Sequence, residues 1–294
     1  MRIVSLVPAA TEIVYALGRG DDLVAATHDS DHPASALDLP RITSSTIPEG
    51  SSIAEIDRLV REAAAQGGST FHLDAGALAA AKPDLLLGQT ICAVCAVTVG
   101  QLPGGVPVVP LDGDSLEGVL ADIARVGDSL GARLETDELL RSLRARLERV
   151  ADAVRGLERP RVACLEWLDP LFNAGHWVPE QVRIAGGVDV LASPGKRSVE
   201  VSWDDVLRAA PEILIAMPCG FDASRAVEDS VALRARPGWD DLAAVRARRA
   251  YAVDGNAYFS RPGPRVVDGV ELLASLFHPG RVAAPSGSTV LPIA

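Results

Sequence analysis

The chain has 294 residues, 48% hydrophobic and 23% charged, enough for two domains of ordinary size, each with its own core. Its 28 basic and 39 acidic residues leave a net charge of −11, which argues against the clustered positive surface a nucleic-acid partner requires. No apolar run approaches the roughly 18–20 residues of a membrane-spanning helix, so no membrane insertion is expected.

The opening stretch MRIVSLVPAATE passes directly into a buried-strand pattern, without a basic n-region, an apolar h-region or a small-residue cleavage site. The expected compartment is the cytoplasm, with a periplasmic or extracellular location as the alternative where a leader has been removed. RIVSLVP reads as a short strand, and TEIVYALG as a helix that Thr11 is placed to cap and Gly18 to end. LVAAT is the next strand. LDAGALAAAKPDLLLGQT gives a helix, a Lys-Pro-Asp break and a strand whose unbroken leucines imply burial on both faces. GVPVVPLD adds another strand, and strands alternating with helices imply a parallel sheet.

From Asp114 to about Glu158 the pattern becomes continuously helical. Leu116, Val119, Leu120, Ile123 and Val126 share one face; Leu139, Leu140, Leu143, Leu147 and Val150 form a second set. An unbroken helix of this length spans roughly 60 Å, and Gly127 and Gly131 are the points at which it bends or stops. It reads as a rigid connector whose Arg- and Glu-rich outer positions are a solvated face. The α/β rhythm then returns: RVACLEWL as a strand, PEQVRIAGG as a helix, DVL as a short strand, SWDDVLRAAPEILIAMP as helix then strand, RAYAVDG as a strand, and RVVDGVELLASLF as the last helix. The tail from about residue 279 is rich in Pro, Gly and Ser and is expected to wrap the surface or fray. The expected organisation is an N-terminal α/β lobe over 1–113, a connecting helix over 114–158 and a C-terminal α/β lobe over 159–294.

Cys164 and Cys219 read as core or near-core thiols, and Cys92 and Cys95 form a C-x-x-C whose state, plain thiols, a disulfide or a metal role, stays open. Gly-x-Ser-x-Gly, P-loop and His-Glu-x-x-His patterns are missing, so a non-enzymatic binding protein without a catalytic cofactor is expected, acting as a monomer. FNAGHWVPEQVRIAGG places two aromatics and a histidine on a glycine-punctuated loop ahead of a helix. In SRPGPR, Arg261 reads either as an anion contact or as part of a tight turn. His28, Asp29, Asp31, His32, His176 and Asp254 are the residues from which a bare metal ion such as zinc would have to be held.

Taken in order, RIVSLVPAATEIVYALG, HDSDHP, KPDLLL, NAGHWVPEQVRIAGG, VSWDDVL, PEILIAMPCG and NAYFSRPGPRVVDGVELLA resemble the class III substrate-binding proteins of ABC importers. These carry cobalamin and ferric siderophores, and the likeness is strongest to cobalamin-binding members. The resemblance implies two Rossmann-like lobes, each with a mainly parallel sheet, joined by one long helix, with ligand in the cleft between them.

It also implies ligand contacts from loops at the strand ends. In the first lobe these are Pro8, Ala9 and Thr11, then His32, then Gln89. In the second they are Phe172, Asn173, His176 and Trp177, then Asn256, Tyr258, Phe259 and Arg261. Aromatics would press on a corrin ring while Asn173 and Asn256 satisfy its amides. His32 is either a hydrogen-bonding loop residue or an axial ligand to cobalt. Docking to an ABC permease is implied for Asp204, with Asp74 as its first-lobe counterpart; Asp204 reads equally as a first-turn acid on its helix. The implied ligand is cobalamin or a related corrinoid, taken up for an importer or held by a cytoplasmic carrier; a ferric siderophore, haem or a bare metal ion is the alternative.

Overall fold

A computed structural model describes residues 1–89 and 105–293; Cys92 and Cys95 lie outside the described residues. The chain forms two units, one of Met1–Gly113, Glu117–Ser142 and Pro262–Pro264, the other of Asp114–Leu116, Leu143–Arg261 and Arg265–Ala294.

The first unit is built on four parallel strands, β1 (Ile3–Ser5), β2 (Leu23–Ala26), β5 (Leu85–Gln89) and β6 (Val108–Leu111), in the order β2-β1-β5-β6. Every residue of β1 and β5 is buried, as the leucine run predicts for strands covered on both faces. Val4, Leu6, Ala25, Ile42, Leu78 and Leu86 pack together at its centre. Helix α1 (Pro8–Ala16) follows β1, and Gly18, at φ 68°, ends it as expected.

Its start differs from the sequence reading. Pro8 occupies the first turn, where its missing N–H costs nothing, so the helix begins three residues earlier and Thr11 lies inside it rather than capping it. Between β2 and β5 the chain adds a feature that periodicity did not reveal. Strands β3 (Thr43–Ser45) and β4 (Phe71–Leu73) pair antiparallel as a separate ribbon, flanking α2 (Ile53–Ala65). Helix α3 (Ala75–Ala81) is capped by Asp74, whose carboxylate accepts from the Ala77 N–H at 2.8 Å.

The long helical segment is two helices, α4 (Leu116–Ser129) and α5 (Arg133–Ala153). Gly131 takes φ 62° at the break. Gly127 lets the helices approach closely, because a Cβ there would fall 1.9 Å from the Thr136 hydroxyl. A single 60 Å rod is therefore not formed, and the division between the units falls inside α5, after Ser142.

In the second unit β7 (Arg161–Leu168), β9 (Val188–Asp189), β10 (Ile213–Ala216) and β11 (Ala250–Val253) run parallel. Two edge strands run against them: β8 (Leu171–Asn173) beside β7, and β12 (Val290–Pro292) beside β11. The tail thus neither frays nor merely wraps the surface. β12 pairs into the sheet, and Ile293, only 2% exposed, donates to the Ala250 carbonyl at 3.0 Å. Helix α6 (Val178–Ile184) ends at Gly186 with φ 84°. Helix α7 (Trp203–Ala209) starts on a capping box in which Ser202 and Asp205 satisfy each other's backbone N–H groups. The last helix (Val266–Phe277) packs on α6.

Candidate solute-binding site

Strand order locates the site within each unit. Ligands of open parallel sheets bind beyond the carboxyl ends of the strands, where successive connections leave in opposite directions. In the first unit that point lies between β1 and β5, since β2 is added on one side of β1 and β5 and β6 on the other. In the second it lies between β7 and β10, with β8 and β9 to one side and β10 and β11 to the other.

At the first switch point the chain presents Pro8, half-buried, and Gln89, 8% exposed at the end of β5. Ala9 and Thr11 are withdrawn into α1. The Thr11 hydroxyl lies 2.8 Å from both the Ser5 and Ser30 hydroxyls, so it braces β1 against the loop after β2, and its expected ligand contact is corrected to an internal one. His32 is exposed. His28 is the better-anchored histidine of that loop. Its Nδ1 lies 2.7 Å from the Thr43 hydroxyl, and its ring centroid is 5.4 Å from that of Phe71.

The second unit rearranges the aromatic assignments. Phe172 lies on β8 and is half-buried. Trp177 is 5% exposed, and its indole N–H donates to the Phe259 carbonyl at 3.0 Å. Phe259 is equally withdrawn, Tyr258 nearly so, and Gln181 donates to the Tyr258 and Val266 carbonyls. Trp177, Tyr258 and Phe259 thus form core under the loops rather than a free face. Asn173 is corrected too. Its amide donates to the Leu191 carbonyl at 2.7 Å and accepts from the Val199 N–H at 2.7 Å, so one N–H and one lone pair are committed to the fold, and the residue is only 4% exposed.

His176 is held at φ 56° by main-chain bonds in both directions, donating to Lys196 and accepting from Gly195. Burial, then the Arg197 charge, lowers its pKa, and its Nδ1 is buried without a hydrogen bond. Asn256 is half-buried after β11 and donates its backbone N–H to the Phe221 carbonyl. Asp254 caps the following turn through Ala257, and burial raises its pKa. Arg261 is 5% exposed.

Two aromatics that sequence reading missed stand at the switch point itself. Trp167, near the carboxyl end of β7, stacks on Phe221, just past β10, with centroids 5.8 Å apart and planes at 26°. The Arg225 guanidinium lies 4.9 Å from the Phe221 centroid. Both rings are half-buried, so each keeps exposed apolar surface. Trp167 offered a signal, as the penultimate residue of the strand RVACLEWL; Phe221, five residues past β10, offered none of that kind. Among the described residues no group of three or more His, Cys, Asp or Glu side chains converges to hold a metal ion. A hollow of about 350 Å³ lies elsewhere, beside Pro160, Glu212 and Arg249 at the amino ends of β7, β10 and β11, away from these groups.

Of the two acids expected to dock a permease, Asp74 is exposed and caps α3, whereas Asp204 is exposed beside Asp205, which does the capping of α7.

Comparison with known proteins agrees with this architecture. An uncharacterized ABC transporter substrate-binding lipoprotein of Bacillus subtilis is 25% identical over 287 residues, covering 95% of this chain and 80% of the relative. A vitamin B12-binding protein of Vibrio cholerae is 26% identical, covering 92% and 86%. The solved periplasmic heme-binding protein of Pseudomonas aeruginosa superposes with a TM-score of 0.71 at 22% identity, over 99% of this chain and 97% of that one; this likeness bears on fold alone. The family described as periplasmic binding protein matches residues 3–257. Its members are solute-binding proteins that work outside the cytoplasm, which overturns the expectation of a cytoplasmic protein drawn from the opening residues, and with it the cytoplasmic carrier. By that match over most of its length, the chain belongs to the periplasmic binding protein family.

Proposed function

We propose that the chain is the solute-binding component of an ABC importer and that its solute is a large, flat metal chelate, cobalamin or a related corrinoid. The stacked Trp167–Phe221 pair at the β7/β10 switch point carries the reading, because two half-exposed rings there offer rigid apolar contact to a macrocycle. Within the second unit, Phe172 on β8 and Asn256 after β11 are the further proposed contacts; within the first, taken by itself, Pro8 and Gln89 are. Asp204 is the permease-facing acid. The relation to a vitamin B12-binding protein supports the corrinoid. Haem is the second reading, favoured by one observation: Arg225 lies over the platform, where a guanidinium suits a propionate.

All four tryptophans fall between Trp167 and Trp239, so intrinsic fluorescence and calorimetry with cyanocobalamin, hemin and a ferric hydroxamate report directly on the second unit. Saturable one-to-one binding of cyanocobalamin, weakened by about 1–3 kcal/mol in Trp167→Ala, is the expected result. No cobalamin binding with saturable hemin binding would replace the corrinoid by haem. Wild-type affinity in Trp167→Ala would remove the platform from the site.

A further inference from the structure

The segment from Ser193 to Val201 runs from the Phe172–His176 loop to the amino end of α7, and it is fastened along its length. His176 donates to the Lys196 carbonyl at 2.6 Å, Gly175 to the Ser198 hydroxyl at 3.1 Å, and Asn173 to the Val199 carbonyl at 3.1 Å. Val199 returns a bond to the Asn173 side chain, and Val201 donates to the Leu171 carbonyl at 2.9 Å. Phe172 and Glu200 form a bridge across this pairing. The strap lies so close that a Cβ on Gly175 would fall 2.3 Å from the Ser198 nitrogen.

Nothing between Val199 and Trp203 offers slack, since the sequence VEVSW has neither Gly nor Pro and two of its residues are β-branched. The residue after Val201 is Ser202, whose hydroxyl and N–H fix the first turn of α7 through Asp205. A second tie reaches the same turn from the other end of the hairpin. Arg236 lies 5.9 Å from the Trp203 ring centroid and 3.9 Å from Asp169, in the β7–β8 turn. Trp203 itself donates to the Pro237 carbonyl at 2.7 Å and stacks on Trp239.

We propose that β8, the strap and the first turn of α7 form one mechanical body, so that solute seated against Phe172 is registered at Asp204, where a permease would sense it. The solute half of this inference rests on the proposed function; the mechanical half does not. A displacement of β8 cannot be absorbed within five residues of hydrogen-bonded extended chain, so it is passed to the helix start.

Hydrogen exchange on the ligand-free protein tests the mechanical half. Asn173→Ala removes the clip on Val199, and Ser202→Ala removes the cap at the far end. Exchange at the Asp205 and Val206 amides should accelerate by about fivefold or more in Asn173→Ala, and exchange at Asn173 and His176 likewise in Ser202→Ala, with β10 unchanged. Acceleration confined to the strap in the first variant and to α7 in the second would overturn the proposal. If Asn173→Ala does not fold, Ser202→Ala decides alone. With cyanocobalamin or hemin bound to the wild type, as judged by absorbance, protection should extend from β8 to Val206; protection that stops at Val201 would overturn it. Failure of both probes to bind would count against the solute reading, and the two variants would still decide the mechanical one.

Discussion

Asp189 ends β9, and replacing it with asparagine should stabilise the protein at neutral pH. Its Oδ1 accepts from the Leu191 and Ala192 N–H groups at 2.9 Å each, while Oδ2 is buried without a hydrogen bond. Burial outweighs those two bonds and pushes its pKa up to about 6 from 3.8. A raised carboxyl pKa means that the folded state binds the proton more tightly than the unfolded chain does. The stabilising contribution is therefore complete below about pH 3.8 and is lost as pH rises through about 6. Two units at about 1.4 kcal/mol each make the ionised group a burden of about 3 kcal/mol above that window. The Asp189→Asn side chain would keep the Oδ1 acceptor and remove the charge, though its amide nitrogen would stand unpaired where Oδ2 now lies, so about 2 kcal/mol is the gain expected. Denaturation followed by tryptophan fluorescence reads the second unit, and at pH 7.5 the gain should appear as a midpoint higher by about 4–8 °C. The difference should close by pH 4. A variant no more stable than wild type at pH 7.5, or a gap independent of pH, would refute the reasoning.

Trp177→Ala should lower stability by about 3–5 kcal/mol, because the side chain is core and its indole holds the Phe259 carbonyl; a stable variant that has lost solute binding would return Trp177 to the site. Asp205→Ala should lower the unfolding midpoint by breaking the capping box, while Asp204→Ala should leave the midpoint in place and reduce uptake in cells. Equal effects of the two on stability would make Asp204 a helix-stabilising acid. Gly127→Ala should cost about 1–3 kcal/mol by forcing α4 from Thr136, measured by far-UV circular dichroism.

Most of the fold could be read from periodicity and punctuation. Leucines 85–87 announced a doubly covered strand, the Lys82-Pro83-Asp84 break separated it from α3, and Gly18 ended the helix it was expected to end. The failures share a cause. Strands β3, β4, β8 and β12 are three residues long, too short to show a period of two, and they exist because a neighbouring strand offers hydrogen bonds. The connecting segment, read as one helix, is two, and it stops at Gly131, one of the two glycines named for a break, where φ is 62° and Thr136 packs against Gly127.

The site was legible as a place but only partly as a set of side chains, and the reason is instructive about aromatic loops. FNAGHW stands out by its composition and by the family resemblance, yet neither says which partner a side chain has already found. Asn173 is taken by Leu191 and Val199, and Trp177 by Phe259, all partners distant in sequence that no local pattern connects. Trp167, the penultimate residue of β7, and Phe221, five residues past β10, stack on each other, and both stay half-buried. What each side chain already touches therefore ranks the candidates better than residue type does, and on that basis Trp167 and Phe221 are the solute contacts proposed for the second unit, with the FNAGHW loop beside them.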